Sequence, residues 1–268
     1  MSDRFPERIV CLTEEGTETL YLLGEQHRIV GISGFTVRPP EARRDKPKVS
    51  AFLSADTERI VALRPDLVLG FSDLQADIAR DLVRAGLDVW ITNHRTVAGI
   101  LAYVQRLAGL VGAHERGERL VAELEAGLAA VGAASTRFTR RPRVWFEEWD
   151  EPLISCIGWV HELVAIAGGD GLFPERATSH AAKGRIVADP NEVIDARPDV
   201  IVGSWCGKKF RPEQVRVRPG WQAVPAVRDG ELHEIDSSLI LQPGPAALTD
   251  GVRALHAIFT RWQTRQPR

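Results

Sequence analysis

The 268-residue chain is poor in sulfur and in tyrosine, with three cysteines, one methionine and two tyrosines. Cys11, Cys156 and Cys206 are odd in number and none forms a CxxC, which argues against a disulfide scaffold or a cysteine zinc site and leaves room for one disulfide at most. No stretch approaches the roughly 18 consecutive apolar residues of a membrane span. The first residues, MSDRFPERIVCL, place charges where a secretory leader would need an apolar run, so the chain as written reads as soluble and unexported. Excess charge of one sign is missing as well. The 34 Lys+Arg against 36 Asp+Glu leave −2 overall, −3 up to Thr136 and +1 beyond it, and no basic half offers itself to nucleic acid or an anionic membrane. GxSxG, GxxxxGK[ST], HExxH and a GxGxxG after a strand are all absent, which speaks against a serine hydrolase or a P-loop enzyme. The seven histidines are scattered, although His94 and His161 fall near predicted strand exits or helix starts. No catalytic set and no metal-ligand set is expected.

What is present is ordinary globular composition, 44% hydrophobic and 26% charged, at a length that suits one large domain or two lobes. An internal repeat favours two. Thr57–Gly70 (TERIVALRPDLVLG) and Pro190–Gly203 (PNEVIDARPDVIVG) align at a shift of 133 residues, with Arg64-Pro65-Asp66 on Arg197-Pro198-Asp199 and Gly70 on Gly203. In each copy a helical segment is stopped by proline, and a short apolar run then reads as a strand buried on both faces. Further strands are predicted at Arg8–Leu12, Arg28–Ile32, Leu87–Ile91, Arg143–Phe146 and Glu231–Ile235, and helices at Thr17–Leu23, Asp77–Ala85 and Trp159–Ala167, each with glycine after it. Alternating strands and helices indicate parallel α/β lobes. Leu120, Leu124, Leu128 and Val131 give Glu115–Ala134 one apolar stripe, and its place midway between the repeats reads as the connection between lobes. The expected division is an N-terminal lobe at 1–112, an inter-lobe helix at 113–136 and a C-terminal lobe at 137–268, with a ligand cleft between the lobes.

In open parallel sheets ligands gather outside the carboxyl ends of the strands. Phe35, Phe71, Trp149 and Trp205 stand just past predicted strands, so as a group they suit a large, partly apolar ligand; singly, each would equally cap its lobe's core. Glu147-Glu148-Trp149-Asp150-Glu151 is an acidic run at a strand end, readable as solvated loop charge, an acid/base group or a cation site. Lys208, Lys209 and Arg211 follow Trp205 and read either as solvated loop charge or as partners of an anionic ligand.

The stretch VGISGFTVRPPEARRDKPKVSAFLSADTERIVALRPDLVLG, with GTETLYLLG before it and HELVAIAGGDGLF after it, resembles the cobalamin and iron-siderophore substrate-binding proteins of ABC transporters, the cobalamin binders most of all. The resemblance spans essentially the whole chain and rests on Thr17-Glu18, Pro39-Pro40, the RIVALRPDLVL segment and the AGG-Phe element together. It implies a non-enzymatic, monomeric protein of two α/β lobes joined by one rigid helix. That protein would carry a corrinoid in its cleft, without a cofactor of its own, to a permease dimer. It implies corrin contact at Phe35 and permease docking through one acidic residue per lobe, Asp77 and Glu192. The Asp and Arg that touch ligand near the last strand in the family are Ser238 and Gln242 here, a departure in ligand chemistry. The ligand set expected from residues and resemblance together is Glu15, Phe35, Phe71, Trp149, Trp159, Trp205, Ser238 and Gln242. The resemblance implies a periplasmic address, and the N-terminal residues a cytoplasmic one. Two alternatives follow: a ferric siderophore or haem in the same fold, or an intracellular tetrapyrrole-handling enzyme or chaperone using Glu148, Asp150 or His161.

Overall fold

The computed structural model describes residues 4–265; Met1–Asp3, where the leader reading begins, lie outside them. The chain divides into two compact units. Among the described residues the first holds 4–94, 98–124 and 242–245, and the second holds 95–97, 125–241 and 246–265.

The first unit runs β1 (Ile9–Cys11), α1 (Glu14–Leu22), β2 (Ile29–Ser33), α2 (Pro40–Asp45), β3 (Lys48–Ser50), α3 (Thr57–Ala62), β4 (Leu67–Phe71), α4 (Ala76–Arg84) and β5 (Val89–Thr92), followed by most of α5 (Val97–Leu110). Its sheet is parallel throughout, in the order β3-β2-β1-β4-β5. β1 and β4 are buried along their whole length, as central strands covered on both faces must be, which is why they read as unbroken apolar runs. Val10, Leu12, Val49, Ile60, Val68 and Leu82 form its core. β3 escapes the sequence reading because only Val49 of its Lys-Val-Ser is buried, too short a pattern to register. Next comes α6 (His114–Ser135), with Leu124 and Val131 buried and residues belonging to both units.

The second unit contains β6 (Arg143–Asp150), β7 (Leu153–Ser155), α7 (Gly158–Ile166), β8 (Asp170–Gly171), α8 (Pro174–Ala177), α9 (Asn191–Ala196), β9 (Val200–Gly203), α10 (Pro212–Arg216), α11 (Pro225–Arg228), β10 (Leu232–Glu234), α12 (Ser237–Ile240) and α13 (Val252–Arg265). Its sheet order is β10-β9-β6-β7, with β8 also pairing β6. All of these pairs are parallel except β6–β7, which is antiparallel. β6 thus continues four residues past the predicted Phe146 through the acidic run, and the chain folds straight back on it as β7.

The repeat is structural in origin. Arg64 and Arg197 both adopt the left-handed conformation at φ 47°, ending α3 and α9 in the geometry that closes helices. Asp66 then accepts hydrogen bonds from the backbone N–H groups of Glu7 and Arg8 at the start of β1, at 2.7 and 2.9 Å. Asp199 accepts from the Arg143 N–H at the start of β6, at 2.9 Å. Each copy therefore anchors the central strand of its own sheet. The glycines that close the copies are notches. A Cβ on Gly70 would lie 2.5 Å from Ile91 and 2.6 Å from Gln75, and one on Gly203 would lie 1.8 Å from the Phe210 ring.

Candidate functional site

The carboxyl ends of the first unit's strands carry a small scaffold of buried polar groups. Thr13 is the N-cap of α1, and its Oγ1 donates to Glu15 Oε1 at 2.5 Å. Glu15 is 1% exposed, and its Oε2 has no hydrogen-bond partner. Burial pushes its carboxyl up to about 7, against the bond from Thr13, which favours the charged form. Gly244, in the segment Gln242–Pro245, packs on Glu15 so closely that a Cβ there would sit 2.5 Å from the Glu15 Cβ. The structure thereby brings Glu15 near half-buried Gln242, two expected site residues 227 positions apart in sequence.

Phe35 is held out from this scaffold. Its N–H bonds to Ser33 Oγ at 3.2 Å, the Gly34 N–H to the Ser50 carbonyl at 2.7 Å, and Arg43 Nη1 donates to the Gly34 and Thr36 carbonyls at 2.6 and 3.2 Å. Phe35 as a whole is 52% exposed. Phe71 is turned inward instead, buried against His94 with ring centroids 5.2 Å apart. His94 stacks in turn on Tyr103 and has Nε2 3.0 Å from the Pro243 carbonyl. Gln75, fully buried, accepts from the Phe71 N–H and donates to the Phe52 carbonyl, both at 3.0 Å, which ties the exit loops of β3 and β4 together. Those loops leave Leu53 and Leu74 exposed at 69% and 58%. Sequence reasoning passed over both, although a leucine inside a polar strand-exit loop is a readable signal; Gln75 carries none.

In the second unit the tryptophans serve mainly as core. Five of the chain's seven, Trp145, Trp159, Trp205, Trp221 and Trp262, are at most 3% exposed. The structure departs here from the expectation that Trp159 and Trp205 face ligand. Trp159 Nε1 donates to the Ile240 carbonyl at 2.9 Å, and Trp205 Nε1 donates to Glu147 at 3.0 Å. Glu147 is the fully buried centre of this packing, receiving also Trp145 Nε1 at 2.9 Å and both terminal nitrogens of Arg218 at 2.6 and 2.7 Å. Three acids of the run, Glu147, Glu148 and Asp150, are therefore neither solvated charge nor free acid/base groups, while Glu151 is exposed. Glu148 is paired with buried Arg185, and Asp150 Oδ1 accepts from Lys208 Nζ at 2.6 Å. β6 carries this run into the sheet, with an irregularity in its pairing to β7 between Glu147 and Trp149. His161, half-buried, has its pKa lowered by burial.

Trp149 is half-buried, and Lys208 Nζ lies 4.2 Å from its ring centroid. Ser238 sits inside α12, where its N–H and hydroxyl both bond to Asp236 Oδ1 at 2.9 and 2.7 Å. A cavity of about 230 Å³ opens beside it, lined by Trp205, Lys208, Lys209, Glu234 and Asp236 among others. Asp77 lies in the first turn of α4, exposed and bonded to Arg80 at 2.6 Å; Glu192 lies in the first turn of α9, bonded to Arg176 at 2.5 Å. Cys11 and Cys156 are buried, with thiols pushed up to about 12 by that burial, and Cys206 is exposed. Among the described residues no cluster of three or more His, Cys, Asp or Glu could hold a metal ion, and no helix is long and apolar enough to cross a membrane.

Two α/β units that share one long helix define the class of the bilobal solute-binding proteins. Residues 9–239 match the periplasmic binding protein family, and the chain belongs to it, among the substrate-binding proteins of ABC transporters. A vitamin B12-binding protein of Vibrio parahaemolyticus is 23% identical over 252 residues, covering 92% of this chain and 88% of that one. The periplasmic vitamin B12 binding protein BtuF of Vibrio cholerae shares the fold at a TM-score of 0.78 and 19% identity, covering 97% of this chain and 99% of its own. The periplasmic heme-binding protein RhuT of Roseiflexus sp. RS-1, in apo form, matches at 0.77 and 27% identity over 94% of this chain and 98% of its own.

Proposed function

We propose that this protein binds a corrinoid and delivers it to an ABC importer. The observation that carries the reading is the apolar rim at the carboxyl ends of the first unit's strands. There Phe35, Leu53 and Leu74 stand exposed on loops whose backbones are fixed by Ser33, Ser50, Arg43 and Gln75. A rigid apolar platform suits a large macrocycle, which loses little on binding because the protein is already ordered. The vitamin B12-binding relative, matched over nearly its whole length, supports the same choice. Haem is the second reading, favoured by the likeness to RhuT.

In this reading residues 1–112 and 137–268 are the lobes and 113–136 the helix joining them, and the protein works as a monomer outside the cytoplasm. Phe35, Leu53 and Leu74 of the first lobe and Trp149 of the second contact ligand, with Glu15 and Gln242 supporting the first. Asp77 and Glu192 face arginines of a permease dimer. Cyanocobalamin, dicyanocobinamide, haemin and a ferric siderophore, each titrated against tryptophan emission, test the ligand. Saturable quenching by the corrinoids is expected, and Phe35→Ala weakens binding by about 1–3 kcal/mol, the worth of one large apolar contact. Corrinoids that leave the emission unchanged while haemin quenches it would replace the first reading by the second.

A further inference from the structure

Lys208 occupies an unusual place for an exposed lysine. Its ammonium is 2.6 Å from Asp150 Oδ1, 4.2 Å from the Trp149 ring centroid and 4.9 Å from that of Trp205. It therefore lies on the indole surface that the exits of β6 and β9 present. An ammonium has three N–H donors, and Asp150 takes one of them. Lys209, beside it in the same cavity, has no carboxylate partner among the described residues. The acids that line this cavity are already engaged by backbone donors, Glu234 by the Phe210 N–H at 3.0 Å and Asp236 by the Ser238 N–H at 2.9 Å. Two lysines thus bring spare N–H donors into the cavity, beside two carboxylates each anchored through one oxygen. Gly207, at φ 79° with open space around it, gives the lysine's loop freedom to adjust.

An uncharged apolar ligand arriving at Trp149 must displace or cover this ammonium, losing a cation–π contact and an ion pair. A ligand with an anionic oxygen at that point takes up the spare N–H groups while the contact with the indoles persists. We infer that Lys208 is the specificity-determining residue of the second unit, selecting ligands that carry an anionic oxygen, a phosphodiester or a carboxylate, beside their apolar body. The inference rests on the proposed function, since it assumes that Trp149 faces ligand. For a corrinoid it means preference for the complete cobalamin, whose nucleotide loop carries a phosphodiester, over cobinamide, which lacks it. For haem the anion would be a propionate.

The test is calorimetric titration of wild-type protein, Lys208→Met and Lys208→Arg with cyanocobalamin, dicyanocobinamide, haemin and haem dimethyl ester. Thermal melts serve as the folding check. Wild-type protein is expected to prefer cyanocobalamin over dicyanocobinamide by about tenfold or more, the worth of one charge-assisted hydrogen bond. Lys208→Met should abolish that preference by weakening cyanocobalamin alone, and Lys208→Arg should restore most of it. If both corrinoids bind and Lys208→Met shifts them equally or not at all, the inference falls and the corrinoid reading stands. If only the haems bind, the corrinoid reading falls, and equal affinity for haemin and its dimethyl ester then overturns the inference too. Wild-type protein that binds none of the four overturns both.

Discussion

Glu15 shows what one buried side chain sets for the whole fold. Burial strips water from its carboxyl and leaves one oxygen without a partner, so despite the bond from Thr13 the native state favours the neutral acid and its pKa rises to about 7 from an ordinary 4.5. A folded-state pKa above the unfolded value means that the native protein holds the proton more tightly. The resulting stabilisation is complete below pH 4.5, declines as pH rises and is gone above about pH 7. Wild-type melting temperature should therefore fall between pH 5 and pH 8. Glu15→Gln, which cannot ionise, should remove that part of the slope, worth on the order of 2–3 kcal/mol across the range. Parallel slopes for the two proteins would show that Glu15 is solvated. Nothing in Glu14-Glu15 as a sequence marks either of them for burial; for Glu15 the packing of Gly244 against it, from the far end of the chain, decides that.

At the scale of elements, the repeat was legible because both copies meet the same demand. A helix must end, a turn must close, and the central strand of a sheet must be anchored at its start, for which Arg-Pro-Asp supplies a left-handed residue, a stop and a carboxylate. What fills the notch at the closing glycine was not legible. Ile91 and Gln75 do so in one copy and Phe210 in the other, because the surroundings of the two exits differ. Gly203→Ala should cost about 1–3 kcal/mol by overpacking, since the Phe210 ring cannot yield without disturbing Trp205 beside it. Gly127→Ala in α6, where a Cβ would meet no atom within 4 Å, should instead stabilise by about 0.5–1 kcal/mol through helix propensity. Chemical denaturation of both variants measures the contrast, and two effects of the same sign would contradict the notch. β7 and β8 were unreadable for a related reason. Strands of three and two residues carry no periodicity, and pairing to β6 alone makes them strands.

For the whole molecule the proposal is a carrier that must meet both a ligand and a permease. Asp77 is 85% and Glu192 37% exposed at the side chain, and each is held by a neighbouring arginine that an incoming permease arginine could replace or join. Reversing both, Asp77→Arg with Glu192→Arg, should abolish corrinoid uptake in a transport assay through like-charge repulsion, while affinity for cyanocobalamin changes by less than about threefold because neither group contacts ligand. Full uptake by the double variant would remove the docking role. By itself the sequence determined the α/β class, the repeat and the central strands. These follow from local rules, namely apolar runs where both faces are covered, proline and glycine where helices end, and a long stripe in α6. Tertiary structure alone decided which aromatics and charges are available to a ligand. Trp205 and Phe35 look alike as strand-exit aromatics, yet one lies under Lys208 with its N–H on Glu147 and the other stands in the open. The difference is made by partners brought from distant positions, such as Glu147 and Arg218 around Trp205, and burial depends on those partners rather than on the residue or its neighbours in sequence.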